Sequence, residues 1–504
     1  MKTFLVILAL TAAFFLLLSA SPNMPGGDDG YRHIKFANLI ATNWQDVAQN
    51  SWHVAYLWPQ PVDIWFLFHL LAAPLTLVFS LLVALKVYAA ILFGGIVATF
   101  LWLLDALKLR YRLIWLGFLL CGSVTFIFRL SLGRALSLSI VLLLLTILAI
   151  LKDKKLWVLL LSAAFALAYS AFFFILLVPF LWLAVSRNRS ALELFLASLA
   201  GVGLGVLINP FFPANLPFAL TLAASPVWAQ RAGIALGREI YPTGITGIFY
   251  MALTLCLWVF AVVLFVRTKQ YRTSGRPILF FFSYTIVLFT LTMSAQRFAE
   301  YFLPFATLFT ALVFEPYIYK IPWKEVQQRF FKEKMIYLPG LIAGLGFLVV
   351  LSSNVFMNYE QVITSPSSQE FEGVSKFLLS DAQPGALIFD TQWDHYPRLF
   401  FWNSRDTYVI GVDPSYLYLM DKEKYWLWRH IADDDPLTCA SRYCTAAAGA
   451  TREIASIIRD KFLSSYIIVE KKRNLYLTRR LLHEPGVRRL YADADVVLFE
   501  ILSP

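Results

Sequence analysis

Adjacent carboxylates Asp28 and Asp29 lie in the run Met24-Pro25-Gly26-Gly27-Asp28-Asp29-Gly30-Tyr31-Arg32-His33, a few residues after an apolar stretch that ends near Ala20. Ionisable groups at a bilayer edge are costly to desolvate and by default point to function. A carboxylate there can take the proton of a hydroxyl or amide, which is a poor nucleophile until it loses it. Two like charges side by side repel, so one can have a raised pKa or the pair can share a cation. The same run has a purely local reading, because Gly and Asp favour turns and this segment could simply end one helix.

A second set of candidates is cationic. Arg129 and Arg134 flank the turn Leu130-Ser131-Leu132-Gly133, and Arg297 opens an apolar stretch in Ser294-Ala295-Gln296-Arg297-Phe298-Ala299-Glu300-Tyr301. Arginine can engage a phosphate through two hydrogen bonds at once, so these residues, with Glu300 close by, are candidates for a phosphate-bearing substrate. Snorkelling, or an Arg297 to Glu300 helix pair at i,i+3 spacing, would explain them structurally. Glu239 is the acid of the segment 209–242 and a further candidate contact, beside Arg231, Arg238 and Tyr241.

The elements that must carry these residues are membrane helices. The chain has 504 residues, of which 59% are hydrophobic and 15% charged, and its mean hydropathy is +0.65. Repeated apolar stretches of near-bilayer length exclude a soluble domain. The net charge of +11 needs no nucleic-acid partner, because the basic residues gather in short loops, where they orient membrane spans. The stretch Thr3 to Leu18 reads as a retained first helix or as a signal peptide, and either puts 21–62 outside as a first external loop with interfacial aromatic helices. Further apolar segments fall near 64–84, 87–105, 114–130, 135–151, 156–169, 171–186, 191–208, 243–266, 277–293, 298–318 and 336–355.

Clusters such as Lys108-Arg110-Arg112, Lys152-Lys154-Lys155 and Arg267-Lys269-Arg272-Arg276 alternate with loops poorer in cations. The bias places the large loop 209–242 and everything after Asn354 outside, and leaves Arg129, Arg134 and Arg297 near the outer face. That topology requires 63–106 to cross an odd number of times, although it holds two apolar runs. The pattern predicts a polytopic α-helical protein of about 11–13 spans over 1–355, in a cell (inner) membrane, followed by an extracytoplasmic α/β domain over 356–504. The strands Ala386 to Phe389, Tyr408 to Ile410, Tyr466 to Val469 and Val496 to Phe499 alternate there with amphipathic helices. No glycine-rich phosphate loop follows any of them. Cys439 and Cys444 sit in a polar stretch of this domain and could close a disulfide-bonded loop in an oxidising compartment, or remain two thiols.

The layout resembles the GT-C class of integral-membrane glycosyltransferases: a first span, an external loop opening on an acidic pair, many further spans and an external α/β domain. In residues, Asp28-Asp29-Gly30-Tyr31-Arg32-His33-Ile34-Lys35 is similar to the first external loop of oligosaccharyltransferase catalytic subunits, where an Asp precedes a helix start rich in Tyr, His and Arg. The resemblance implies sugar transfer from a polyprenyl-phosphate or polyprenyl-diphosphate carrier in the membrane lipid to an acceptor on the outer face. It implies Asp28 or Asp29 as the base, and His33, Arg129, Arg134, Glu239, Arg297 and Glu300 as substrate contacts. The chain departs from that family in two places. The turn 130–134 has no second acidic motif, so metal dependence is doubtful and no cofactor is expected, since a hard cation wants several oxygen ligands. Gln392-Trp393-Asp394-His395-Tyr396-Pro397 only partly matches the family's Trp-Trp-Asp-Tyr-Gly motif, and reads as a strand-to-helix junction. The competing classes are a transporter or flippase of lipid-linked saccharides and a non-catalytic assembly factor.

Overall fold

The computed structural model describes residues 2–27, 29–50, 56–234, 236–320, 337–433 and 454–502. The chain divides into two compact units: Met1–Ser21 with Val87–Ile208 and Gly237–Thr364, and Pro22–Lys86 with Asn209–Leu236 and Ser365–Pro504.

The first unit is helical. By length and composition Arg189–Ile208, Arg276–Ser294 and Gln296–Tyr319 can each cross a membrane, as can Leu81–Ala106, most of which lies in this unit. Arg112–Cys121 and Val124–Ser131 add a fifth if their 80° bend belongs to one broken span. The larger number expected from hydropathy is not reached by length alone among the described residues, because several apolar runs fold into helices of 10–17 residues. The two apolar runs of 63–106 are likewise unequal. Phe66–Val78 has 13 residues, or about 20 Å at helical rise, too short for the ~30 Å hydrocarbon core. Leu81–Ala106 has 26. One span in this region is what the charge bias requires. The opening helix Lys2–Ser19 packs through Phe14, whose ring stacks on Phe93 at 4.2 Å.

The bend within 112–131 has a visible cause. A Cβ on Gly122 would collide with the Phe118 carbonyl and the Thr254 hydroxyl, so only glycine lets the backbone turn there. The Asn354 amide donates to the Cys121 carbonyl, satisfying a group that the break exposes. Helices Lys155–Ala168 and Arg189–Ile208 meet along small residues. The Ser162 and Ser198 hydroxyls are hydrogen-bonded at 2.7 Å, and Cβ atoms added at Gly201 and Gly205 would fall 2.9 Å from Ser162 Cβ and 2.8 Å from Ala166 Cβ. This is small-residue packing of membrane helices, in which backbones approach closely. Gly205→Val therefore forces the helices apart and is expected to lower stability by about 1–3 kcal/mol. Gly203→Val, which meets nothing within 4 Å, leaves the thermal midpoint in lipid nanodiscs close to that of the unmodified protein.

The second unit contains a five-stranded sheet in the order β2-β1-β3-β5-β4, with β1 Leu387–Asp390, β2 Thr407–Tyr408, β3 Tyr466–Glu470, β4 Val487–Ala492 and β5 Val496–Ile501. Strand β1 is parallel to β2 and β3, and β5 is antiparallel to β3 and β4. The central strands are almost continuously apolar, as strands covered on both faces must be. The edge strand β4 carries Arg488 and Arg489, which discourage further pairing. The Asp493 carboxylate closes the β4–β5 turn by accepting from the backbone N–H groups of Asp495 and Val496, both at 2.9 Å.

The C-terminal domain does not stand by itself. One apolar core joins Phe36, Leu39 and Val47 of the first loop and Phe211 of the large loop to Phe371, Leu378, Ile388, Leu399, Ile468 and Leu498. The compositional shift at 356 falls inside the helix Tyr337–Ile363, and the unit boundary follows Thr364. Helices Ser415–Met420 and Lys422–Ala432 are separated at Asp421, whose carboxylate caps the second by accepting from Lys424 N–H at 3.0 Å.

Candidate functional site

The arginines singled out in the sequence converge within the first unit. Arg129 lies on Val124–Ser131, the helix beyond the bend, and Arg134 follows Gly133, whose φ of 65° is a left-handed turn that suits glycine. Arg297 sits in the short 3-10 turn Gln296–Phe298, ahead of a helix whose first turn carries Glu300. Glu239 occupies the 3-10 turn Arg238–Ile240, and that segment is pinned by backbone hydrogen bonds from Thr243 to Met293 and from Gln296 to Tyr241. Glu239 Oε2 accepts from Arg129 Nη1 at 2.5 Å and from Arg134 Nη1 at 2.6 Å, and Oε1 is 3.9 Å from Arg297 Nη2. Arg129 Nε also donates to Glu300.

Three guanidiniums thus face two carboxylates and leave one positive charge uncompensated within the group. Burial alone would raise the Glu239 pKa, but the charges of Arg134, Arg129 and Arg297 overcome it and hold the carboxyl well below the usual range. Arg297 faces Glu239, and Glu300 pairs with Arg129, so the i,i+3 pairing suggested by spacing is not what organises them. The arrangement can do one thing chemically: hold an anion, at present the protein's own.

Asp29 belongs to the second unit. It stands at the N-terminus of helix Gly30–Thr42 with its side chain 29% exposed, and its Oδ1 is 3.4 Å from Arg32 Nη2, whose side chain is 1% exposed. Tyr31 fixes the preceding turn, because its hydroxyl accepts from Met24 N–H at 2.8 Å. His33 is also buried. Its Nε2 is 3.2 Å from Arg32 Nη2 and its Nδ1 is 2.7 Å from His69 Nε2, so both ring nitrogens are engaged by protein rather than presented to a substrate. His69 Nδ1 is 2.7 Å from Asp63 Oδ2, and both residues are fully buried. Asp63 and His69 escape a reading of hydropathy because they border or interrupt the apolar run beginning at 64. Two ionisable groups there, six residues apart and bracketing the start of an apolar helix, were the available signal.

Asp28, Cys439 and Cys444 lie outside the described residues. Among the described residues no group of three His, Cys, Asp or Glu side chains could hold a metal ion.

Trp393, Asp394 and His395 form the junction between β1 and helix Tyr396–Trp402. His395 is fully buried, with Nδ1 3.1 Å from Asp390 Oδ1 and Nε2 2.9 Å from Glu470 Oε2. Asp394 pairs with Arg473 at 2.9 Å. Burial alone would lower the His395 pKa, but Asp390 and Glu470 push it up to about 9. A pKa raised in the folded state stabilises fully below the unfolded value near 6.5, and that stabilisation fades as pH rises through about 9. The unmodified protein should therefore lose about 3 kcal/mol between pH 6.5 and pH 9.5 that His395→Gln does not. Thermal midpoints of both proteins across that range check this.

No protein-family model matches the chain, and no curated protein matches it significantly in sequence. Solved structures do. The oligosaccharyltransferase of Archaeoglobus fulgidus in its apo form aligns with a TM-score of 0.54 at 11% identity, over 92% of this chain and 70% of that one. The same enzyme tethered to an acceptor peptide containing the NVT sequon gives 0.55 at 12% identity. ArnT from Cupriavidus metallidurans in the apo state gives 0.55 at 12% identity, over 99% of both chains. The chain thus shares the fold of these two enzymes: mostly helical, with several helices long and apolar enough to cross a membrane and a small mixed sheet towards its C-terminus.

Proposed function

We propose that this protein is a membrane glycosyltransferase that moves a sugar or glycan from a polyprenyl-phosphate or polyprenyl-diphosphate carrier to an acceptor on the extracytoplasmic face of the cell (inner) membrane. The observation that carries the reading is the GT-C fold along almost the whole chain, combined with an accessible carboxylate at the helix start of the first loop. In the reaction the acceptor's O–H or N–H proton passes to Asp29, or to its neighbour Asp28. The acceptor atom bonds to the anomeric carbon as the bond from that carbon to the phosphate oxygen breaks, and the lipid phosphate leaves with the electron pair. Arg129, Arg134 and Arg297, which lie together in the first unit, are assigned as contacts for a phosphate-bearing ligand, since guanidiniums pair with phosphate through two hydrogen bonds.

The test is sugar transfer by the purified full-length protein in lipid nanodiscs, supplied with radiolabelled polyprenyl-phosphate and polyprenyl-diphosphate sugars and with membrane extract as the acceptor source. Label appearing in an acceptor supports the proposal. Intact donor crossing the bilayer, with no transfer from either carrier, replaces it with transport.

A further inference from the structure

Behind Asp29 stands a row of buried polar side chains from two helices and the turn before the second. Asp63 and His69 are 0% exposed, Arg32 1% and His33 3%. Burying this many polar groups is unfavourable unless each is satisfied, and well-packed apolar residues would often hold the same helices at least as firmly. What the row adds is direction. A guanidinium has only donors, so Arg32 Nη2, 3.2 Å from His33 Nε2, makes that nitrogen an acceptor. The single ring proton of His33 is then on Nδ1, 2.7 Å from His69 Nε2, which must accept in turn. The His69 proton is on Nδ1, 2.7 Å from Asp63 Oδ2. The other oxygen of Asp63 accepts from Trp65 N–H at 2.9 Å, while Asn209 Nδ2 donates to the Asp63 carbonyl at 3.0 Å.

From Arg32 inward every donor points toward Asp63, while Arg32 Nη2 also donates outward to Asp29 Oδ1 at 3.4 Å, so two neutral imidazoles aligned head to tail link a cation to an anion. Such a chain polarises along its length. Arg32, whose guanidinium also lies 4.7 Å from the Trp65 ring centroid, is the member that reaches out to Asp29. We propose that Asp63, His69 and His33 are positioning residues, a one-way hydrogen-bonded chain that sets Arg32 against Asp29 and so orients that carboxylate for its acceptor. This rests on the reading of Asp29 as a base.

Asp63→Asn is the sharp test because it is nearly isosteric. An asparagine has one acceptor oxygen where the site needs two. The Trp65 N–H cannot reverse, so the amide NH2 faces His69 Nδ1 and drives its proton to Nε2. That proton then meets the His33 Nδ1–H, which shifts to Nε2 and opposes Arg32. His69→Gln should act oppositely: a carboxamide can donate to Asp63 at one end and accept from His33 at the other, keeping the direction.

Nitrogen-15 spectra of the histidine-labelled full-length protein, which has six His, should show His33 and His69 as Nδ1–H tautomers, assigned by loss of each signal on substitution. Asp63→Asn should move both to Nε2–H and lower kcat for sugar transfer about tenfold with little change in KM for the donor, as loss of a supporting hydrogen bond does elsewhere. His69→Gln should lose no more than about threefold. A purely structural row predicts the reverse order, because removing a buried ring disturbs packing more than exchanging O for NH2. Nε2–H tautomers or an imidazolium in the unmodified protein overturn the inference, as does full transfer by a folded Asp63→Asn protein. Full transfer by both Asp28→Asn and Asp29→Asn overturns the base reading instead. The two failures are separable, since the spectra report the tautomers whether or not sugar is transferred.

Discussion

Asp29→Asn should lower kcat for sugar transfer by about 10²–10⁴-fold, the range for losing a positioned general base, while leaving the protein folded and its donor KM nearly unchanged. The second half of that expectation gives the first its meaning. Asp29 precedes helix Gly30–Thr42, and Asn is as good a residue as Asp at a helix start. Its contact with Arg32 is long, 3.4 Å, and the Asn carboxamide oxygen can still accept from that guanidinium. A carboxamide keeps the shape and the acceptor oxygen but cannot take a proton. Kinetics and thermal unfolding measured on the same preparation separate loss of the base from loss of the fold. If Asp29→Asn transfers normally and Asp28→Asn does not, the base is Asp28. If both transfer normally, no carboxylate of this pair takes the proton.

Hydropathy located the helices because burial in lipid demands the same apolar stretch whatever the tertiary context. It could not tell a span from a short buried helix, and Phe66–Val78 shows why: thirteen apolar residues satisfy the pattern but not the thickness. Nor could it show that the first loop shares a core with the C-terminal sheet, since Phe36 and Leu498 are far apart in sequence and apolar for reasons that look local. The arginines stood out in the sequence because the charge bias of the loops would leave them on the outer side, against the positive-inside rule. Their dependence on Glu239 was not legible, since the segment carrying it is placed by backbone hydrogen bonds to residues 293 and 296 rather than by its own pattern. His33 was legible as polar and near the acids. Its partners His69 and Asp63, 36 and 30 positions away, meet it only because two helices pack face to face.

Glu239→Gln should lower the unfolding free energy by about 3 kcal/mol, because removing one partner of a largely buried ion-pair group leaves the others uncompensated. Three guanidiniums would then face the single carboxylate of Glu300, two unmatched positive charges where the unmodified protein has one. The same change empties the seat that Glu239 occupies on Arg129 and Arg134, so an added anion should bind there more tightly. Inorganic diphosphate is therefore expected to raise the thermal midpoint of Glu239→Gln more than that of the unmodified protein, by mass action on the folded state alone. Adding Arg134→Gln to the variant should remove most of that gain, since Arg134 is one of the two cations within 2.6 Å of the vacated oxygen. An unchanged midpoint on substitution would show that these charges are solvated rather than interdependent. A stabilisation by diphosphate that is equal in both proteins would place its binding elsewhere, and the arginines would then be a structural ion-pair group with no claim on the donor's phosphate.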